Sequence, residues 1–193
     1  MPFGKLGSYP STPEERGVVR RAALLTGATV FQAILAALVH CDVIKFHPSN
    51  VTEESLKEFP ARIEYALHYQ TLLAFWLLFN VTMTIYKRLS RGALNPLDES
   101  TEDRVQWIKC VLTNSFESIV LSVFLQLIFV SYAAPGCVLK CIPLINIIQF
   151  VGRIAFYAGY PTYRAFGFGL TLLPNVLMAW YNLYKLGAFL QIY

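Results

Sequence analysis

Apolar residues gather in five long runs that are separated by short polar segments. A membrane-crossing helix needs about 20 mainly apolar residues, because the hydrocarbon core is about 30 Å thick and each helical residue rises about 1.5 Å. Five stretches satisfy this length: 22–44, 65–86, 105–132, 141–160 and 165–189. No alternating segments of about ten residues recur, so strands are not indicated. The pattern predicts an all-α integral membrane protein with five transmembrane helices.

Composition supports this interpretation and limits the kinds of partner that the chain can bind. Of the 193 residues, 55% are hydrophobic and only 15% are charged, whereas a soluble domain carries about a quarter charged residues. The net charge of +4 is too small to indicate nucleic-acid binding, and no basic stripe is present in the sequence. We therefore expect the lipid bilayer, and no nucleic acid, as a partner.

Loop charges predict the orientation. The first apolar run is too long for the 7–15-residue core of a signal peptide, so it is interpreted as an uncleaved anchor. With a cytosolic N-terminus, cytosolic segments hold nine basic residues and the other side holds five, which favours a cytosolic N-terminus and a lumenal C-terminus. Asn50-Val51-Thr52 is a glycosylation acceptor in the predicted lumenal loop. Asn80-Val81-Thr82 has the same pattern inside a span, where no transferase can reach it.

Three segments follow from these assignments. Residues 1–21 form a cytosolic tail that we expect to be partly disordered, because it is rich in Pro, Gly and Ser. Residues 22–63 form an extra N-terminal transmembrane helix and a lumenal loop, with a short helix starting near Ser49 or Thr52. Residues 64–193 form a bundle of four helices, in which Asn95-Pro96 breaks the second span. Ser100 or Thr101 can cap the third span, and Thr162 can cap the fifth.

Charges at membrane depth are costly and normally find partners inside a bundle. Glu117 lies 13 residues after Arg104, about 20 Å along a helix, and Arg153 lies 11 residues before Arg164, about 16 Å from the same face. These matched depths predict an ion pair between Glu117 and Arg153, serving either to lock two helices or to bind a ligand.

Other polar residues extend this position into a seam that opens towards the cytosol. Asn114 lies one turn before Glu117, Lys109 and Cys110 lie about one turn below Asn114, and Tyr160 lies two turns from Arg153. Such a seam can bind a small anionic molecule, with Arg153 and Lys109 for carboxylates and Tyr160 for a hydrogen bond.

The pattern Asn114-x-x-Glu117, followed by Arg153 and Tyr160, resembles the MAPEG superfamily of membrane-associated eicosanoid and glutathione metabolism proteins. Its four-helix core corresponds to residues 64–190. The extra N-terminal span and the run Gly167-Phe-Gly-Leu-Thr-Leu-Leu-Pro174 are similar to the mattrin-like branch, over about residues 16–190.

The resemblance implies a homotrimer of helical bundles that binds glutathione between protomers near the cytosolic side. Asn114, Glu117, Arg153 and Tyr160 match glutathione-contacting or site-organising positions, and Lys109 and Arg164 are further candidates for cofactor binding. Two departures stand out: Cys110 replaces a family arginine, and Phe156 replaces a histidine of the prostaglandin synthases. The arginine that activates the thiol in catalytic members has no secure match, and Arg164 is the nearest candidate.

Two functions remain open. The first is a mattrin-like, non-catalytic scaffold or regulator of endoplasmic reticulum, Golgi or endolysosomal membranes, with a role in trafficking, barrier formation or redox protection. The alternative is a glutathione-dependent transferase or peroxidase that acts on lipophilic substrates at the bilayer. No catalytic residue is assigned.

Two smaller patterns carry expectations. Ser115, Ser118 and Ser122 follow i, i+3, i+7 spacing, and we predict that this stripe packs around a trimer axis. Cys41 lies near Cys137 and Cys141 at the lumenal face, either bridged to one of them or with all three as free packing thiols. No histidine pair completes a zinc set, so no metal site is expected.

Overall fold

The computed structural model describes residues 13–92 and 105–191, which form an all-α bundle with no strand in these two ranges. The helices are α1 Pro13–His40, α2 Phe59–Arg91, α3 Gln106–Tyr132, α4 Pro135–Ala158 and α5 Arg164–Phe189, and a single 3-10 turn spans Glu54–Leu56. Each predicted apolar run lies mainly in one helix, so the five-helix prediction is confirmed. We call the end of the bundle at which α1, α3 and α5 begin the site end. It corresponds to the predicted cytosolic face.

The helices have the length and surface of a membrane bundle. Arg16–His40, Gln106–Tyr132 and Pro135–Ala158 are long and apolar enough to cross a bilayer, with mean hydropathies of 2.0, 1.7 and 1.6. The 33 residues of α2 and the 26 of α5 also exceed the length of a crossing. Large apolar side chains such as Phe75, Phe124 and Trp180 are more than 60% exposed. This chain is an integral membrane protein.

The ends of α1 differ from the prediction. Within the described residues the helix reaches back to Pro13, nine residues before the apolar run. It ends at His40 rather than Ile44. The amides of Val43 and Ile44 both bond to the carbonyl of Leu38, at 3.0 and 3.2 Å, and Asp42 takes a left-handed φ of 58° that turns the chain away.

The ends of the other helices agree only in part with the sequence predictions. Gly92 closes α2 with a left-handed φ of 68°, and the predicted break at Asn95-Pro96 and the caps at Ser100 or Thr101 lie outside the described residues. The capping prediction for Thr162 is wrong, because Tyr163 is the N-cap of α5 and no side chain caps that helix. The α4 helix starts at Pro135, six residues before the predicted span.

The loop between α1 and α2 contains the expected short helix, as a single 3-10 turn. The Thr52 amide donates to the Ser55 hydroxyl at 3.2 Å, the Ser55 amide donates to the Thr52 hydroxyl at 3.4 Å, and the Ser55 hydroxyl donates to the Thr52 carbonyl at 2.7 Å. Asn50 is exposed just before this turn, as a glycosylation acceptor must be, whereas Asn80 is fully buried within α2.

Glycines on both helices allow α4 and α5 to approach each other closely. A Cβ atom added to Gly167 would lie 2.2 Å from the backbone nitrogen of Phe156 and 2.5 Å from the carbonyl oxygen of Gly152. No side chain fits between backbones this close, so glycine is required here. This contact sets the distance between the two helices that carry Arg153 and Arg164.

The extra helix α1 packs against α5 and is fixed at two levels. Ala28 is fully buried against Gly169, and the buried Gln32 donates a 3.2 Å hydrogen bond to the Gly169 carbonyl. At the end opposite the site end, Asp42 forms a 2.8 Å ion pair with Lys140 of α4. These contacts hold α1 along the bundle and place its first turns beside the start of α5.

Candidate functional site

Arg153 is the centre of the polar seam. Its side chain is 1% exposed, and it extends from α4 towards α3 and α5. Nη1 donates to the backbone and side-chain oxygens of Asn114, at 3.3 and 2.8 Å, and Nη2 donates to the hydroxyl of Thr171. The guanidinium also stacks over the ring of Phe156, with 5.3 Å to the ring centroid. Neutral oxygens and a ring face therefore surround this charge.

The predicted ion pair between Glu117 and Arg153 is wrong. Glu117 is exposed on α3, and the partners of Arg153 are Asn114 and Thr171. Sequence depth fixes only the height of a residue along the bundle, whereas the rotation of each helix decides which side chain faces its neighbour. Here α3 turns Asn114 towards α4, and the close α4–α5 contact brings Thr171 to the same guanidinium.

Glu117 instead lines a groove at the site end. This groove has a volume of ≈ 380 Å³, and its lining includes Lys109, Asn114, Glu117 and Arg164. Four of the six predicted cofactor-binding residues therefore meet in one cavity. Its wall carries two cations, one carboxylate and two amides, and one of the amides, Asn114, connects it directly to the buried Arg153.

Cys110, Gln106, Thr113 and Phe156 complete the lining of the groove. The departures noted in the sequence, a cysteine and a phenylalanine, therefore lie in the cavity itself. Neither side chain carries a positive charge, so the groove holds fewer cations than the family pattern implies.

Tyr160 lies beside the groove rather than in its lining. The guanidinium of Arg164 stacks over its ring at 5.2 Å from the centroid, and the rings of Phe156 and Trp107 lie at 6.0 and 6.5 Å. Partial burial and the neighbouring thiol of Cys110 raise the pKa of Tyr160, while Arg164 lowers it to a smaller extent. Its hydroxyl therefore stays protonated near neutral pH and can donate a hydrogen bond.

Sequence reasoning missed a second polar group deeper in the bundle. Gln126 of α3 is fully buried, and its side-chain oxygen accepts 2.7 and 3.4 Å hydrogen bonds from Asn146 of α4 and Gln70 of α2. Gln149 donates to Asn175 and to the Thr171 carbonyl, at 2.8 and 3.0 Å. The sequence feature that indicates this group is the presence of uncharged amide side chains inside apolar runs. Like charges, such amides need hydrogen-bond partners in a membrane.

The serine stripe on α3 faces the interior of the protomer, so its predicted place at a trimer axis is wrong. Ser115 and Ser122 are fully buried, and Ser122 accepts a 3.0 Å hydrogen bond from Gln126. The Ser118 carbonyl accepts a bond from Asn175 of α5. The small residues allow helices of one protomer to approach each other.

All four cysteines are free thiols in this structure. Cys137 and Cys141 lie on consecutive turns of α4 with their sulfur atoms 3.9 Å apart, and Cys41 is exposed. No cluster of three or more His, Cys, Asp or Glu side chains that could hold a metal ion occurs in the described part of the chain.

Comparison with known proteins gives one result. A family model described as the MAPEG family matches residues 66–184, which covers α2 from its second turn to the last turns of α5. Helix α1 lies outside the matched range. No curated protein and no solved structure matches the chain significantly.

Proposed function

The chain belongs to the MAPEG family, and from that premise we propose that it is a mattrin-like, non-catalytic scaffold or regulator of secretory or endolysosomal membranes. In this proposal the groove at the site end holds glutathione as a ligand that the protein does not turn over. The N-terminus and the groove face the cytosol, in agreement with the loop charges.

The observation that supports the proposal is that the guanidinium of Arg153 already has hydrogen-bond partners within the bundle. A thiol becomes a nucleophile when a cation or a hydrogen-bond donor lies about 3 Å from the sulfur and stabilises the thiolate. Both terminal nitrogens of Arg153 already bond to Asn114 and Thr171, and the side chain is 1% exposed. Arg153 is therefore a positioning residue for Asn114 and does not reach into the groove.

The charges of the groove favour a small zwitterion as its ligand. Glutathione carries two carboxylates and one ammonium group at neutral pH. Lys109 and Arg164 supply cations for the carboxylates, Glu117 supplies an anion for the ammonium group, and Asn114 can bond a peptide group. In this arrangement both cations of the groove are taken up by the carboxylates of the ligand, and neither is assigned to its sulfur.

A homotrimer is part of this proposal. The exposed face of α3 carries Leu121, Phe124 and Ile128, which are 48%, 62% and 49% exposed, and it continues down to Glu117 at helical spacing. The groove opens along this same face. A neighbouring protomer packed on α3 would cover the apolar residues and close the open side of the groove.

The alternative function is a glutathione-dependent transferase or peroxidase for lipophilic substrates. The observation that favours it is the position of Arg164, which lines the groove from the first turn of α5 and stacks on Tyr160. A thiol bound next to Arg164 could be activated by it, with Tyr160 as a hydrogen-bond donor.

One paired experiment separates the two functions. Glutathione is titrated calorimetrically into the purified full-length protein in mild detergent, and the same sample is assayed for conjugation and peroxide reduction. The scaffold proposal expects binding that Lys109→Gln and Glu117→Gln weaken, and no turnover. Lys87→Gln is the control, since it removes one charge at the same end of the bundle but outside the groove.

A further inference from the structure

A second cavity lies beside the groove, and helix α1 builds one of its walls. This cavity, which we call the arginine cleft, has a volume of ≈ 550 Å³. Arg20 and Arg21 reach it from α1, Arg164 reaches it from α5, and Leu25 and Phe168 supply apolar walls. Because α1 lies outside residues 66–184, two of these arginines are additions to the part of the chain that matches the family.

Packing fixes the arginines in place. The contact of Ala28 and Gln32 with Gly169 holds α1 against α5 about two turns above Arg20 and Arg21. The guanidinium of Arg20 stacks on the ring of Tyr163, with 5.4 Å to the centroid. That tyrosine directly precedes Arg164, so the stack aligns the α1 arginines with the start of α5.

The stacked arrangement keeps hydrogen-bond donors available. The guanidinium carbons of Arg20 and Arg164 lie over the rings of Tyr163 and Tyr160, and a guanidinium carries five N–H donors that point outward in its plane, more than one ring contact can occupy. Among the described residues that line the cleft, none is acidic. Three cations therefore share one cavity whose described lining carries no carboxylate.

We propose that the arginine cleft binds a phosphate group. A phosphate carries more than one charge and presents several acceptor oxygens, so it can bond two or three guanidinium forks at once, which a single carboxylate cannot do as fully. The phosphate comes either from a phospholipid headgroup at the membrane surface or from a soluble phosphate. The apolar walls at Leu25 and Phe168 allow a glycerol or acyl segment to follow a lipid phosphate into the bundle.

The proposed phosphate site can be tested separately from the proposed glutathione site. Arg20 and Arg21 do not line the groove, and Lys109 and Glu117 do not line the cleft, although Asn114, Phe156 and Arg164 border both cavities. Substitutions of Lys109 or Glu117 that abolish glutathione binding therefore leave all three arginines of the cleft in place, and substitutions in α1 test the phosphate site alone.

The experiment measures binding of three probes to the full-length protein in mild detergent at constant ionic strength: dioctanoyl phosphatidic acid, dioctanoyl phosphatidylcholine and inorganic phosphate. The variants are Arg20→Gln, Arg21→Gln and Arg20→Lys, with Lys87→Gln as a control that removes a charge at the same end but outside the cleft. All three arginine substitutions lie on an exposed part of α1, and unchanged thermal unfolding verifies that each variant is folded.

We expect phosphatidic acid to bind, phosphatidylcholine to bind far more weakly, and each Arg→Gln change to lower the affinity for phosphatidic acid about tenfold. Arg20→Lys should lose part of the affinity for phosphatidic acid, because the charge remains while the planar pair of N–H donors is lost. Lys87→Gln should leave that affinity within about twofold of the unmodified protein. Inorganic phosphate that binds as tightly as the lipid would identify the soluble source. Equal losses of affinity for Lys87→Gln and the arginine variants would overturn the proposed site, since general surface charge would then explain the binding. A failure of both phosphatidic acid and inorganic phosphate to bind would overturn it as well.

Discussion

Nη1 of Arg153 lies 2.8 Å from the side-chain oxygen of Asn114, while Glu117, one turn further along α3, lies exposed in the wall of the groove. An amide therefore takes the position that a carboxylate was expected to hold. This arrangement divides the polar seam into a buried part that organises three helices and an open part that can bind a ligand.

The first prediction concerns the different roles of the buried Arg153 and the exposed Glu117 in stability. Arg153→Met removes the donor to Asn114 and Thr171 and with it the hydrogen bonds that join α4 to α3 and α5, so we expect a loss of stability on the order of 3 kcal/mol. Glu117→Gln should leave stability nearly unchanged, because no ion pair to Arg153 is lost. The midpoint of thermal unfolding in detergent measures both. Equal destabilisation by the two variants would mean that Glu117 also supports the fold.

The second prediction concerns the contact between α4 and α5. Gly167→Ala places a methyl group 2.2 Å from the Phe156 backbone nitrogen, and backbone cannot move aside as a flexible side chain can. We expect about 3 kcal/mol of destabilisation. Gly27→Ala is the matched control in α1, where an added Cβ atom meets nothing within 4 Å and alanine is the better helix former. Unfolding midpoints that fall equally for both would contradict the close packing.

The sequence predicted the number, type and order of the helices because five apolar runs of membrane length allow little else. Helix ends were less predictable: α1 continues back to Pro13 through polar residues that no apolar pattern marks, and Asp42 ends it by a local backbone turn.

The candidate site was predicted as a set of residues but not as a set of contacts. Lys109, Asn114, Glu117 and Arg164 do meet in one groove. The partners of Arg153 depended on the rotation of α3 about its axis, and neither spacing nor depth determines that rotation. The arginine cleft was equally hidden, because Arg20 and Arg164 are far apart in sequence and meet only through the packing of α1 on α5.

The third prediction concerns the far end of α1. The hydrogen bond from Lys140 lowers the pKa of Asp42 below its ordinary value of 3.8. A carboxyl group with a lowered pKa stabilises the fold above its unfolded pKa, and this stabilisation disappears as the pH falls through the lowered value. The stability difference between the unmodified protein and Asp42→Asn should therefore be constant from pH 7 to pH 5, begin to fall near pH 3.8 and vanish only below the lowered pKa of Asp42. A difference that already vanishes at pH 5 would contradict the ion pair.

The fourth prediction concerns assembly. If the exposed face of α3 packs against neighbouring protomers, Phe124→Ser should weaken the trimer without unfolding the protomer, because that side chain is 62% exposed. Leu177→Ser is the control, since Leu177 is 61% exposed on α5 and belongs to a different face. Mass measurement in mild detergent checks this. A monomeric unmodified protein would exclude the trimer, and an unaffected trimer in Phe124→Ser would place its interface elsewhere.

Turnover measured together with glutathione binding tests the central claim most directly. Purified full-length protein is titrated with glutathione and then assayed with an electrophilic substrate and with a lipid hydroperoxide. We predict saturable binding that Lys109→Gln weakens and Lys87→Gln does not, together with rates no higher than those of the uncatalysed reactions. Conjugation or peroxide reduction that Arg164→Gln abolishes would contradict the account and establish the chain as an enzyme.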